Sequence, residues 1–220
     1  MNTNSGPARL AVREVGPAEA ETLAAVADIH VRLLAPGPLA EMGTGFVKEV
    51  ALRLLLIDGS LRLAVLTDRT SIVGFVAFTD CVRTYQSRSF LRHPLAVSWA
   101  CVKALCADPR RVRAIAAMAH DAFDPGPGVD TDGERLGEVL AIAVTPECLR
   151  AAGQDKSQPP PGDQLLDFAI AGLRAAGVHK LQARISAHRR GALLLYARRQ
   201  AKFADYRNSR EEMVQVSLDI

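Results

Sequence analysis

Aromatic residues are scarce in this chain of 220 residues, at 5%, and only one of them is tryptophan. Proteins that bind single-stranded nucleic acid stack bases on aromatic side chains, so this scarcity argues against that class. The most membrane-like run, 94–107, contains Lys103 and falls short of the ~20 residues that cross a bilayer. The first residues also lack the apolar segment of a signal peptide. The sequence therefore predicts a cytoplasmic protein with no membrane partner.

Cysteine is also too sparse to build a metal site. The chain has four cysteines, none in a CxxC pair, and its five histidines are not spaced around them as zinc ligands would be. We expect free thiols of a reducing compartment and no metal. A disulfide between Cys101 and Cys106 is the alternative.

Charge is nearly balanced overall, at a formal +3, but it is unevenly distributed. Residues 83–113 hold seven Arg or Lys against one acid, and residues 184–210 hold eight against one. A solvated surface and attraction of a polyanionic cofactor are the two favoured interpretations. Nucleic-acid binding is disfavoured, although phosphate neutralisation would use the same cations.

Hydrophobic periodicity predicts one α/β domain over residues 1–220. The predicted order is β-α-α-β-β-(helical insertion)-β-α-β-α-β-β. Predicted strands are 10–15, 61–67, 72–80, 138–145, 180–185, 203–207 and 213–219; predicted helices are 17–34, 46–57, 164–176 and 190–200; the insertion covers about 82–121, and a Pro-rich loop covers 154–162.

The segment around the fourth strand carries the most information. Residues 139–144 are apolar without interruption, as expected of a central strand covered on both faces. Thr145-Pro146 and then Arg150-Ala-Ala-Gly153 follow, ahead of a helix, a strand and a helix that carries Leu195-Tyr196. This order resembles the acyl-CoA-binding half of the GNAT superfamily of N-acetyltransferases. The resemblance implies a GNAT-like mixed central sheet flanked by helices, with the insertion between strands 3 and 4.

The resemblance also implies an activity. It implies an N-acetyltransferase that moves an acetyl group from acetyl-CoA to a primary amine of a small molecule, such as an amino sugar, by direct attack and without a metal. The alternative is an eroded catalyst that keeps the fold as a binding or scaffold module. An exposed C-terminal strand would favour a homodimer.

Cofactor-binding residues follow from the same resemblance. Backbone groups of Ile142, Ala143 and Val144 would pair with the pantetheine arm of acetyl-CoA. The pyrophosphate loop would comprise Arg150, Ala151, Ala152, Gly153, Gln154 and Asp155. The Asp155 carboxylate and the three prolines after it depart from the family's pattern. Either the loop bulges outward and the chain rejoins the family path at Gly162, or phosphate binding is weakened.

Tyr196 and Glu138 are the catalytic candidates that the resemblance implies. Tyr196 would protonate the departing thiolate, and Glu138 would deprotonate the amine through water. A half-buried aromatic and a solvated strand-end carboxylate are the plain alternatives. His120 and His30 are further candidates for the base.

Two arginines stand where the family often has other residues. Arg184 occupies a base position but stays protonated, so it cannot be a base. Arg189 would contact a CoA phosphate or would belong to a solvated face. The insertion would lie near the acceptor, and the opening helices with His30 and Phe46 would form the opposite wall of the substrate pocket.

Overall fold

The computed structural model describes residues 10–80, 82, 85–123, 135–154, 158–207 and 212–220. The side chains of 85–88, 120–123, 206 and 207 lie outside that description. The candidate base His120 is among them, and the candidate loop residue Asp155 lies outside the described residues. The strands are β1 (Leu10–Glu14), β2 (Arg62–Asp68), β3 (Ser71–Thr79), β4 (Leu136–Val144), β5 (Lys180–Ser186), β6 (Lys202–Arg207) and β7 (Glu212–Asp219).

The helices are α1 (Ala20–Leu34), α2 (Pro38–Glu41), α3 (Thr44–Phe46), α4 (Leu55–Ile57), α5 (Tyr85–Arg92), α6 (Pro94–Ala107), α7 (Val112–Phe123), α8 (Pro146–Gln154), α9 (Pro161–Ala175) and α10 (Arg190–Ala197). A π-helical segment, Val47–Leu54, joins α3 to α4, and a 3-10 turn, Pro109–Arg111, precedes α7.

The described strands form one mixed sheet in the order β1-β2-β3-β4-β5-β7-β6. Neighbouring strands run antiparallel except β4 and β5, which run parallel and are joined through α8 and α9. The predicted strands are confirmed to within a few residues at their ends. The mixed sheet flanked by helices confirms the predicted fold class.

Two apolar layers cover the sheet. On one face, α9 packs Leu165, Leu166 and Leu173 against inward side chains of β2 to β5 and β7. On the other face, α1 and the π-helical segment pack Leu23, Val26 and similar residues against β2, β3 and β4. Strand residues alternate between the faces, so each central strand feeds both layers, and this explains why residues 139–144 are apolar without interruption.

The insertion between β3 and β4 consists of α5, α6 and α7. It packs its own small core, centred on Ala104 and Ala114, against Met42, Phe46 and Val50 of the opening helices. Phe46 is thus a buried core residue that joins the insertion to α3, which differs from its expected position on a pocket wall. Cys101, Cys106 and Cys148 are free thiols, so the alternative of a 101–106 disulfide is wrong. Within the described residues, every helix is too short or too polar to cross a bilayer.

Candidate active site in the split between two parallel strands

The parallel strands β4 and β5 separate partway along their length. Their register runs from Leu136 opposite Lys180 to Val139 opposite Ala183, where the pairing of the two strands ends. Beyond that point β4 continues to Val144 against β3, while β5 continues to Ser186 against β7. A wedge-shaped split therefore opens between the two strands within the described sheet.

Backbone groups of β4 face this split. The N–H of Thr145 donates to the carbonyl oxygen of Val73 in β3 at 2.8 Å. Because backbone groups alternate along a strand, the amide groups of Ala143 also point to β3, and those of Ile142 and Val144 point into the split. Of the three predicted residues, Ile142 and Val144 can pair with an added extended chain there, whereas the backbone of Ala143 is engaged with β3.

Glu138 lies at the closed end of the split. Gly137 faces α9, since a Cβ at that position would meet Leu173 at 2.7 Å, so the next side chain, Glu138, points to the opposite face. Its carboxylate is 3% exposed, and Oε1 accepts a hydrogen bond from Nε of Arg184 at 3.0 Å. Its Oε2 is buried and has no partner among the described residues.

Arg184 is the partner that the sequence did not predict for Glu138. The parallel register sets Glu138 opposite Gln182, which places Arg184 diagonally across on the same face. The guanidinium and the carboxylate thus form a charge-assisted hydrogen bond. The pairing depends on the register of two strands 46 residues apart in the chain, so no local pattern indicates it.

Tyr196 lies in the α9 layer, on the other face of the sheet from Glu138. It is fully buried in the α9 layer beside Leu165 and Leu166, and its hydroxyl has no partner among the described residues. Burial raises the pKa of Tyr196 well above its usual value; the positive charge of Arg199 opposes this rise, and the negative charge of Glu138 adds to it. The phenol is therefore protonated at neutral pH.

His30 belongs to α1, on the side of the helix that faces β3. Its ring centroid is 6.0 Å from that of Phe75, whose register partner is Ala143 of β4. Burial, followed by the positive charge of Arg189, lowers the pKa of His30 from 6.5 to about 4. The imidazole is therefore neutral at physiological pH, and can both donate and accept a hydrogen bond.

Arg189 bridges the two sides of the split. Its Nη1 donates to the carbonyl oxygen of Leu33 at 3.0 Å, which caps the C-terminal turn of α1 from the β5–α10 connection. The guanidinium thus has a backbone partner at the end of α1.

The predicted pyrophosphate loop is wrong in its conformation. Arg150, Ala151, Ala152, Gly153 and Gln154 form the second half of α8. Pro146 suits the first turn of a helix, the two alanines are strong helix formers, and Arg150 bonds Glu147 at 3.3 Å across one turn. A Cβ on Gly153 would meet nothing within 4 Å, so no close backbone approach requires glycine there.

The N-terminus of α9 is the helix end that follows β4 and α8. Pro159, Pro160 and Pro161 have no N–H to offer, which leaves the N–H groups of Gly162 and Asp163 in the first turn. Gly162 therefore lies in the first turn of α9, at the start of the helix.

Asp163 brings negative charge to this same turn. It accepts from Nη2 of Arg199 at 3.1 Å and lies 3.4 Å from Nη1 of Arg198. Arg199 also bonds Asp167 at 2.6 Å, so both arginines tie α10 to the start of α9. The two arginines were not among the predicted site residues, because only the packing of α10 on α9 brings them together.

Acetyl-CoA is the group that the fold implies, and these residues fit it unevenly. The free backbone edge of β4 fits an extended amide-bearing arm. The first turn of α9 fits a phosphate through two N–H groups and the helix dipole, with Arg198 beside it. The Asp163 carboxylate weakens that fit. Within the described residues, no cluster of side chains fits a metal ion.

Solved structures with similar folds were found, whereas no protein-family model and no curated protein matches the sequence. Three are an acetyltransferase assigned to the GNAT family from Desulfovibrio desulfuricans, PaiA N-acetyltransferase from Thermoplasma acidophilum in complex with coenzyme A, and ribosomal-protein-S5-alanine acetyltransferase from Vibrio fischeri.

The likeness covers nearly the whole chain at low identity. The TM-scores are 0.54, 0.52 and 0.55 at 14%, 10% and 12% identity, respectively. Each alignment covers 96% of this chain and 99%, 99% and 92% of the respective other chain. Together with the split between its parallel strands, this likeness shows that the chain has the fold of the GNAT superfamily of N-acetyltransferases.

Proposed function

We propose that this protein transfers an acetyl group from acetyl-CoA to a primary amine of a small molecule. The observation that carries the proposal is the pair of unpartnered buried oxygens, Glu138 Oε2 and the Tyr196 hydroxyl. They lie on opposite faces of the sheet, close enough for the charge of Glu138 to act on the Tyr196 hydroxyl. Buried polar atoms of this kind usually have a partner, so a pair beside a free strand edge suits a bound reactant.

Binding would use the edge of β4 and the first turn of α9. Ile142 and Val144 would hold the extended arm of acetyl-CoA by backbone hydrogen bonds, and Gly162 with Arg198 would contact its phosphates. When bound there, acetyl-CoA supplies an activated thioester carbonyl. An N–H of β4 pointing at the carbonyl oxygen would stabilise the negative charge that develops on it.

The reaction would then need two proton transfers, one to Glu138 on one face of the sheet and one from Tyr196 on the other. Glu138 Oε2 accepts a proton from the acceptor ammonium, directly or through water, so that the amine nitrogen can form its bond to the acetyl carbon. As the carbon–sulfur bond breaks, the Tyr196 hydroxyl donates its proton to the leaving sulfur and later regains one from solvent. His30, as a neutral imidazole close to β4, would orient the acceptor.

The first experiment measures acetyl-CoA binding by calorimetry and thiol release over a panel of amino sugars, polyamines and amino acids. In Tyr196→Phe, we expect turnover to fall by roughly 10²-fold or more because the general acid is lost. Acetyl-CoA affinity and melting temperature should stay close to those of the wild type, because the hydroxyl makes no hydrogen bond in the described structure.

Leu194→Ala on the exposed side of the same helix is the matched control, and Gly153→Ala tests the predicted phosphate contact of residues 150–154. Both should bind acetyl-CoA as the wild type does. Full turnover in Tyr196→Phe would refute the acid role. A folded wild-type protein that binds no acetyl-CoA would refute the enzyme and leave the eroded binding module, which Asp163 at the phosphate site favours.

A further inference from the structure

Helix α6 of the insertion is apolar around its whole circumference. Of its residues Pro94–Ala107, only Lys103 carries a charge. One side packs into the insertion core through Ala104, with Val97, Ala100 and Cys101 beside it. A helix that is apolar all round is normally covered all round, so the opposite side of α6 should have a partner.

That opposite side lies in solvent. Leu95, Trp99 and Val102 are spaced four and three residues apart, which places them in line on one helix face. They are 86%, 62% and 47% exposed, and Leu91 from the end of α5 is 71% exposed. We call Leu91, Leu95, Trp99 and Val102 the Trp99 stripe. A continuous exposed stripe of this kind marks an interaction surface, unlike a single exposed leucine.

The charges beside the stripe are positive. Lys103 Nζ lies 5.4 Å from the centroid of the Trp99 ring, and Arg110 and Arg113 are exposed just beyond the end of α6. Among the described side chains of residues 89–119 the one acid is Asp108, which accepts the backbone N–H of Arg110. A partner that covers the stripe therefore meets cations, and this charge complements an anionic surface.

A second copy of this chain fits poorly. Two copies would bring the same cations face to face across a two-fold axis, since such an interface uses the same patch on both subunits. A stable dimer also buries about 800 Å² on each partner, more than the four side chains of the stripe provide. The stripe lies along the exposed side of α6 and the end of α5.

We propose that the Trp99 stripe docks on a membrane surface that carries anionic lipid. Leucine and tryptophan on one side of a helix, with lysine and arginine at the border, are the composition that lies in a bilayer interface. Lys103 can extend its ammonium to the headgroups while its stem stays against the Trp99 ring. The sequence argued against a membrane partner because no segment can span a bilayer, and interfacial docking requires no span.

Trp99 makes the proposal directly measurable, because it is the only tryptophan in the chain. The full-length protein is mixed with vesicles of phosphatidylcholine alone or with one-third phosphatidylglycerol. We expect a blue shift of the tryptophan emission and co-sedimentation with the anionic vesicles only. Added salt should reverse both, because the lipid attraction is screened within about a Debye length.

Leu95→Gln should weaken partitioning roughly tenfold, since it removes one apolar side chain from the buried face. Lys103→Gln should lower the dependence on anionic lipid. Leu149→Gln is the matched control, an exposed leucine on α8 that should bind vesicles as the wild type does. Leu95 is almost fully exposed, so its replacement should leave the melting temperature unchanged, which thermal unfolding checks.

Four results would overturn the proposal, of which the last would assign the surface to a protein partner. The first is the absence of both blue shift and sedimentation with anionic vesicles. The second is equal binding of wild type and Leu95→Gln. The third is a blue shift that grows with protein concentration without lipid, together with a dimer mass on analytical ultracentrifugation, because a second copy would then cover the stripe. A shift caused by an acidic amphipathic peptide but not by vesicles would equally assign the surface to a protein partner.

Discussion

Glu138 Oε2 and the Tyr196 hydroxyl are buried without a protein partner in the described structure. An unsatisfied buried polar atom costs about 1–3 kcal/mol, so a sequence selected for stability alone would replace it. The Arg184–Glu138 pair adds a charged group at the same place. The unpartnered atoms therefore lower the free energy of unfolding, and such a loss of stability is typical of residues that act on a ligand.

The pH dependence of stability tests the burial of His30. Because the pKa of His30 falls from 6.5 to about 4 on folding, the unfolded chain binds a proton between these pH values and the folded chain does not. Stability therefore rises with pH across that window and is lost on acidification, by roughly 3 kcal/mol at about 1.4 kcal/mol per pKa unit.

Urea unfolding at pH 7, 6, 5 and 4.5 measures this slope, and His30→Gln is the comparison because it keeps a polar side chain that does not titrate. The difference in unfolding free energy between wild type and variant should shrink as the pH falls. A constant difference over the window would mean that His30 titrates normally in the folded protein.

At the residue scale, the sequence predicts roles for Tyr196 and Glu138 because each occupies a fixed place in the order of elements. It missed what surrounds them. The bonds of Arg184 to Glu138 and of Arg189 to Leu33 join residues 46 and 156 positions apart, so they depend on packing that no local pattern contains.

At the scale of elements, α8 is the main difference between sequence and structure. The residue types of Arg150 to Gly153 predict a phosphate-binding loop. Helix propensity and Pro146 in the first turn favour a helix instead, and the structure has a helix there. Residues 150–153 therefore lie within α8 and not at the N-terminus of α9, where the predicted phosphate contact would need them. The strands and long helices were predictable because their periodicity is strong over many residues.

The first turn of α9 supports a prediction about charge. In Asp163→Asn, the helix end loses an anion while Arg198 and Arg199 remain nearby. If phosphates bind there, acetyl-CoA affinity should rise by about two- to fivefold, as expected for a charge at a helix N-terminus. Calorimetry at low and moderate salt measures this change, and the gain should shrink as salt is added.

Asp167→Asn is the control for that experiment, since it also loses a bond to Arg199 but lies further along α9. It should leave the affinity unchanged. Equal affinities for wild type and Asp163→Asn would show that the phosphates are held elsewhere.

At the scale of the whole molecule, one buried carboxylate joins the insertion to the rest of the protein, in addition to the small core of the insertion. Asp58, at the end of α4, accepts hydrogen bonds from Ser89 and, at 3.1 Å, from Nε2 of His93. Burial raises the pKa of Asp58, but the bonds from Ser89 and His93 outweigh it, so the net pKa is lowered. The attachment is therefore present above about pH 4 and weakens as the pH falls through the lowered pKa.

Asp58→Asn should loosen the insertion selectively, at a cost of about 1–3 kcal/mol, because its bonds to Ser89 and His93 lose their charge. Hydrogen exchange followed by mass spectrometry should show faster exchange in α5 and α6, with α9 unchanged. Asp28→Asn, at an exposed position on α1, is the control and should exchange as the wild type does. Uniform acceleration across the sheet would show that Asp58 supports the fold as a whole.

The apolar layer under α9 has a consequence for how this chain can be divided. That layer is built from β2, β3 and β4 on one side and from α9, β5, α10 and β7 on the other, so the boundary between the two sequence halves runs through its middle. Two separately produced polypeptides, divided between α8 and α9, would each expose half of a core and would complement one another. Recovery of the proposed acetyl transfer would then report reassembly, and the protein would serve as a sensor of proximity between two fused partners.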